Sequence, residues 1–196
     1  IATSLTAASC SDSASTSNAF EVSTAPVTVK AKDPISKDVV EKLVLRKIGD
    51  AAVAGQPVAR NITLTPEAGG QFLTLDLNRT ASCHSGALVG SAITSAQQVM
   101  SAVFLYPDVS RVQLTLYGTT EDVKDKDKPA VRITVTKDAA AKIDWFQFNE
   151  KNIGTMASEF WVEPCVSQSY QQYGSATITD PSLLAQANAS CSATTP

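Results

Sequence analysis

Val58-Ala-Arg-Asn-Ile-Thr-Leu-Thr65, Pro66-Glu-Ala-Gly-Gly70 and Gln71-Phe-Leu-Thr-Leu-Asp-Leu-Asn78 follow one another without a gap, and together they decide the fold. Leu73, Leu75 and Leu77 alternate with other residues, the period-two signature of a strand with one buried face. Val58, Ile62 and Leu64 supply the apolar positions of the first stretch. Pro66 and the Gly69-Gly70 pair between them carry turn chemistry. The segment predicts a β-hairpin.

Upstream, Asp33-Pro34 has the character of a helix start, with an acidic cap and a proline suited to the first turn. Ile35, Val39, Val40, Leu43, Val44 and Ile48 then fall on one stripe at helical spacing, and Gly49 ends it. This predicts a helix over 34–48. Val27-Thr-Val29 reads as a short entry strand. Downstream, Thr94-Ser-Ala-Gln97 resembles a capping box ahead of Val99, Met100, Val103 and Phe104, with Pro107 as the stop. Leu88, Val89 and Ile93 are expected to form an earlier turn. Arg111–Tyr117 and Val131–Val135 alternate as a second pair of strands around the charged segment 121–128. Thr136 can cap a helix running to Ile143, residues 152–161 read as a further helix or turn, and Ser182–Ala189 is a short helical candidate.

The order helix–hairpin–helix–hairpin–helix implies an α+β fold, with an antiparallel sheet of about four strands and helices packed on one face. The chain divides into a Ser/Thr-rich leader and linker (1–25), an α+β domain (26–164) and a polar C-terminal extension held by cysteines (165–196). At 196 residues and 43% hydrophobic content it can bury a proper core. A formal net charge of -3 with no basic stripe argues against nucleic acid as a partner.

Ile1-Ala-Thr-Ser-Leu-Thr-Ala-Ala-Ser-Cys10 looks like the end of a bacterial lipoprotein signal, with Cys10 as the lipid-bearing residue and a low-complexity leash behind it. Ala7 stands where the motif usually has Leu or Val. The competing reading is a secreted protein with Cys10 in a disulfide. Both place the chain outside the cell, and membrane contact is expected only through the anchor. Cys10, Cys83, Cys165 and Cys191 are spaced too widely for a zinc site and favour disulfides. Cys83–Cys165 with Cys10–Cys191 is the favoured pairing; lipid on Cys10 would leave one cysteine over.

Catalytic signatures are lacking. His84, the single histidine, sits beside Cys83, but adjacent side chains rarely face each other. Asp122, Asp125 and Asp127 alternate with Lys124, Lys126 and Lys128 and lack a turn glycine, which suits a solvated loop better than a calcium site. Glu150, Glu159 and Glu163 lie near Trp145 and Trp161, a set that could line a sugar groove or could be core aromatics beside surface acids. No phosphate loop or cofactor motif is present, and no metal or cofactor is expected. Three glycosylation sequons, at Asn61, Asn78 and Asn188, would matter only in a eukaryotic secretory pathway.

Val99 to Gly118, a helix–Pro–strand segment, resembles the GerMN group of germination and sporulation envelope modules. The plan from about residue 30 to 162, with its Thr136-Lys-Asp-Ala-Ala-Ala-Lys-Ile-Asp-Trp145 ending, is similar to extracellular lipoproteins of Gram-positive bacteria. Neither family offers catalytic residues to carry over. Both imply an envelope domain that binds or scaffolds a protein or cell-wall component. The cysteines and the tail after Cys165 fall outside both patterns. The expectation is a non-enzymatic binding module; the alternative is a small extracellular hydrolase acting on cell-wall or glycan material. The contact surface is expected on the sheet face away from the helices, with the 121–128 loop and the aromatics Trp161, Tyr170 and Tyr173.

Overall fold

The computed structural model describes residues 33–49, 56–78, 85–118, 127–149 and 152–167, with side chains undescribed at 85–87. The elements are α1 (Lys37–Ile48), β1 (Ala59–Glu67), β2 (Gly70–Asn78), α2 (Ser85–Val103), β3 (Val109–Tyr117), β4 (Pro129–Thr136), α3 (Lys137–Ala140), α4 (Ile153–Met156) and β5 (Glu159–Val162). The fold is α+β. Its sheet has five strands in the order β1-β2-β3-β4-β5 and is mixed, not the antiparallel sheet of about four that the hairpins suggested. β2 and β3 run parallel, while the other neighbours are antiparallel. The reason is the link: α2 carries the chain back along the sheet before β3 begins, and such a crossover joins parallel strands.

Each strand puts its large aliphatic residues on one face. Leu73 aligns with Val112, Leu75 with Leu114 and Leu77 with Leu116. β4 continues these rows with Val135, Ile133 and Val131, and β5 adds Phe160 and Val162. The buried residues of α1, α2, α3 and α4 join the same core cluster, so the described helices all pack on this face. Val99, Val103, Leu75, Leu114 and Ile133 are buried together there, with Val39 and Leu43 half-buried against them.

Four local expectations are corrected, the last two in part. α1 begins at Lys37, and Ser36 rather than Asp33 caps it, accepting from Val39 N at 3.4 Å. Ile35 N donates to Asp108 Oδ2 at 3.0 Å, which draws the chain before Ser36 away from the helix. α2 begins at Ser85, so Thr94 to Gln97 lie inside it and form no cap. Leu88, Val89, Ala92, Ile93 and Ala96 prolong the buried stripe by more than two turns. Gln97 instead donates through Nε2 to the carbonyl of Trp145, 2.5 Å away. Of the helix or turn expected over 152–161, α4 occupies Ile153–Met156, but residues 159–162 form a strand, because Phe160 and Val162 face the core while Glu159 and Trp161 face outward. Thr136 does cap α3, accepting from Ala139 N at 3.3 Å, but the helix ends at Ala140 and turns carry the chain to Ile143. Val27–Val29 and Ser182–Ala189 lie outside the described residues.

Gly70 has φ +143°, and a Cβ there would stand 2.3 Å from the Asp108 carbonyl oxygen. Gly69 has φ +88° but open space around it. Gly70→Ala should therefore destabilise by more than about 2 kcal/mol and Gly69→Ala by about 1 kcal/mol, measured by urea unfolding. Equal effects would refute the close approach. Ser95 is fully buried in α2 with no hydrogen-bond partner for its Oγ. Removing an unpaired hydroxyl relieves its desolvation cost, so Ser95→Ala should leave stability unchanged or raise it by about 1 kcal/mol.

Candidate functional site

The face of the sheet opposite the helices is polar and aromatic. The strand register sets its rows. Phe72 aligns with Arg111 and Thr136; Asp76 with Thr115, Arg132 and Trp161; Asn78 with Tyr117 and Pro129. Each position alternates with a core residue, so the pattern that buries the leucines also projects this set outward.

Three arginines lie against three rings. Arg111 Cζ stands 3.9 Å from the Phe72 centroid, Arg60 Cζ 4.3 Å from Tyr117, and Arg132 Cζ 5.6 Å from Trp161. Arg60 reaches the face through the irregular pairing between Ala59 and Asn61, which lets it span β2 toward Tyr117. Each stack contributes about 0.5–2 kcal/mol and, more usefully, holds a guanidinium in one orientation.

Carboxylates of the chain hold two of the three. Glu67 Oε2 pairs with Arg111 Nη2 at 2.6 Å, and Glu67 Oε1 lies 2.8 Å from Ser110 Oγ. Asp127 Oδ1 pairs with Arg60 Nη2 at 3.1 Å, which ties the chain just before β4 to the sheet. Arg132 makes no ion pair among the described residues, and its Nε is buried without a partner. Beneath these side chains Thr115 and Thr134 are buried, and Thr134 Oγ1 bonds to Glu159 Oε2 at 3.1 Å.

Of the residues singled out from sequence, Trp161 lies on this face, half-buried, beside Arg132. Tyr170, Tyr173, Cys10, Cys83, Cys191, His84, Asp122, Asp125 and Glu150 lie outside the described residues. Cys165 is disulfide-bonded, its partner also outside them. The suggested sugar groove of Glu159, Glu163, Trp145 and Trp161 does not assemble. Trp145 packs against the core, stacked on Phe104 at 6.2 Å and tilted on Phe148 at 5.3 Å, whereas Trp161 faces the other way. Glu163 accepts from Val166 N at 3.0 Å and caps the helical turn 164–167. No group of three potential metal ligands occurs among the described residues, and no described helix is long and apolar enough to cross a membrane.

Sequence reasoning missed Phe72, Tyr117, Arg60, Arg111 and Arg132. The available signal was their out-of-phase position: Arg111, Gln113, Thr115 and Tyr117 alternate with Val112, Leu114 and Leu116. No family model, curated protein or solved structure matches the chain.

Phe160 and Trp161 separate the two faces experimentally. Phe160→Ala removes a core ring and should destabilise by about 3–5 kcal/mol. Trp161→Ala should cost less than half as much in the same urea titration. A larger loss at Trp161 would place that ring in the core.

Proposed function

We propose that this chain is a non-enzymatic binding or scaffolding module, secreted or anchored at the cell envelope through Cys10, and that the sheet face opposite the helices is its contact surface. The observation that carries this reading is the set of three arginine–aromatic pairs spread over that one face. Stacked guanidinium groups and half-buried rings add large contact area with little entropy left to lose on binding. Aromatic and arginine side chains are also the types that dominate binding energy at interfaces. The described carboxylates of the expected sugar-groove set, Glu159 and Glu163, accept hydrogen bonds from Thr134 Oγ1 and Val166 N, structural roles that favour affinity over turnover.

The test is retention of the purified protein by a Gram-positive cell-envelope fraction. Retention of the wild type, with an approximately tenfold loss in a Trp161→Ala/Tyr117→Ala double variant that unfolds cooperatively, is the expected outcome. Unchanged retention by the double variant would move the surface elsewhere. Hydrolysis of peptidoglycan by the purified protein would overturn the non-enzymatic reading.

A further inference from the structure

We infer that the chain pairs with a second copy of itself through the outer edge of β1, antiparallel and centred on Thr63. β1 is nine residues long and stands first in the sheet, and among the described residues nothing pairs with its outer edge. The opposite edge differs: β5 has four residues, and Phe160 and Val162 there have further partners. Edge strands are usually kept short, or are broken by charge, proline or a bulge, because their unpaired amides and carbonyls recruit other strands. β1 carries such devices only at its ends, the irregular pairing between Ala59 and Asn61 at one and Pro66 at the other. Between them, Asn61-Ile-Thr-Leu-Thr65 holds neither charge nor proline. The strand is thus guarded at both limits and left open in the middle.

The ladder fixes which groups are on offer. Gln71 N donates to the Asp108 carbonyl, away from β1, so Gln71 and its register partner Pro66 are not a hydrogen-bonded pair. Pro66, with no N–H to give, suits that outward position. Counting back by twos, Leu64 and Ile62 also turn their N–H and C=O groups to the open edge, while Asn61, Thr63 and Thr65 bond to β2. Two copies laid antiparallel, with Ile62 opposite Leu64 of the other copy, would exchange about four hydrogen bonds. This register matches like with like. Thr63 faces Thr63 of the second copy, Asn61 faces Thr65, and Ile62 and Leu64 prolong the apolar row of the core face. Asn61, Thr63 and Thr65 are exposed, Leu64 is half-buried and Ile62 buried. A foreign strand would draw its specificity from pockets between these side chains, and short hydroxyls and an amide are too shallow to build them. The two-fold axis stands perpendicular to the sheet, so two sheets become one, with both polar faces on the same side.

Sedimentation equilibrium and cysteine cross-linking of the full chain test this. A few paired residues a side make a small contact, so association should depend on concentration, with the mass rising from 20.6 kDa toward twice that value. Thr63 is exposed, so Thr63→Lys should unfold in urea like the wild type. It should nevertheless weaken association by about tenfold or more, since two ammonium groups would face each other at the axis. Thr63→Cys should link two copies by a disulfide under mild oxidation, above the wild-type background on a non-reducing gel. Partners of that kind stand about 4.5 Å apart at Cα, within disulfide reach. Thr65→Cys should stay at background, because its two copies lie about 13 Å apart along the strands. A monomer at every concentration, whether its edge stands open or is covered by another segment, would overturn the inference. So would a mass growing beyond the dimer, association untouched by Thr63→Lys, or equal linking at positions 63 and 65.

Discussion

Asp108 joins three parts of the chain that are far apart in sequence. Its carboxylate accepts the Ile35 N–H, at 3.0 Å to Oδ2, and so fixes where α1 starts. Its carbonyl accepts the Gln71 N–H at 2.6 Å, just inside β2. The same carbonyl presses on Gly70, where any side chain would collide. The next residue, Val109, opens β3 with its side chain fully buried. A single residue, through its side chain and its carbonyl, therefore ties the position of α1 to the register at which β2 meets β3. The parallel pair in the middle of the sheet depends on that register, and the antiparallel strands on either side extend from it.

Register matters here because both faces are read from it. A one-residue slip of β3 against β2 would turn Val112, Leu114 and Leu116 outward and bury Arg111, Gln113 and Tyr117. Burying an unpaired guanidinium is among the costliest errors a fold can make, so the core rows and the arginine rows enforce the same alignment. The polar face is thus a product of the core rather than a decoration on it. Phe72 meets Arg111 and Arg132 meets Trp161 because Leu73 meets Val112 and Ile133 meets Phe160.

The legible part of this fold was whatever a short window determines. Leu73, Leu75 and Leu77 identify β2 without help from any other segment, and Val40 and Val44 do the same for α1. What escaped depends on contacts across the chain. Asp33 and Ser36 are equally good caps in isolation, and the choice falls to Ser36 because Asp108, more than seventy residues away, holds Ile35. Thr94 to Gln97 has the composition of a cap, yet Leu88 and Val89 bury completely between one and two turns earlier and extend α2 through it. The parallel pairing of β2 and β3 is invisible to alternation, which gives strands but not the direction in which the next one runs. The site was legible as a face but not as a set of residues. Trp161 stood out as an aromatic, whereas an arginine beside a valine becomes informative only when the ring it covers is known to lie on the adjacent strand.

The division of labour between the faces bears on what the surface can do. Stability rests mainly on the leucine and valine rows and on the helices packed over them, so the opposite face is released from making a core. Its arginines nevertheless sit over rings instead of reaching freely into water, with the Nε atoms of Arg111 and Arg132 buried. A purely solvated face would leave these long side chains mobile, at a gain in entropy. Stacking on Phe72, Tyr117 and Trp161 removes that freedom before any ligand arrives. The cost of ordering is met during folding, and binding can then draw on groups already in place.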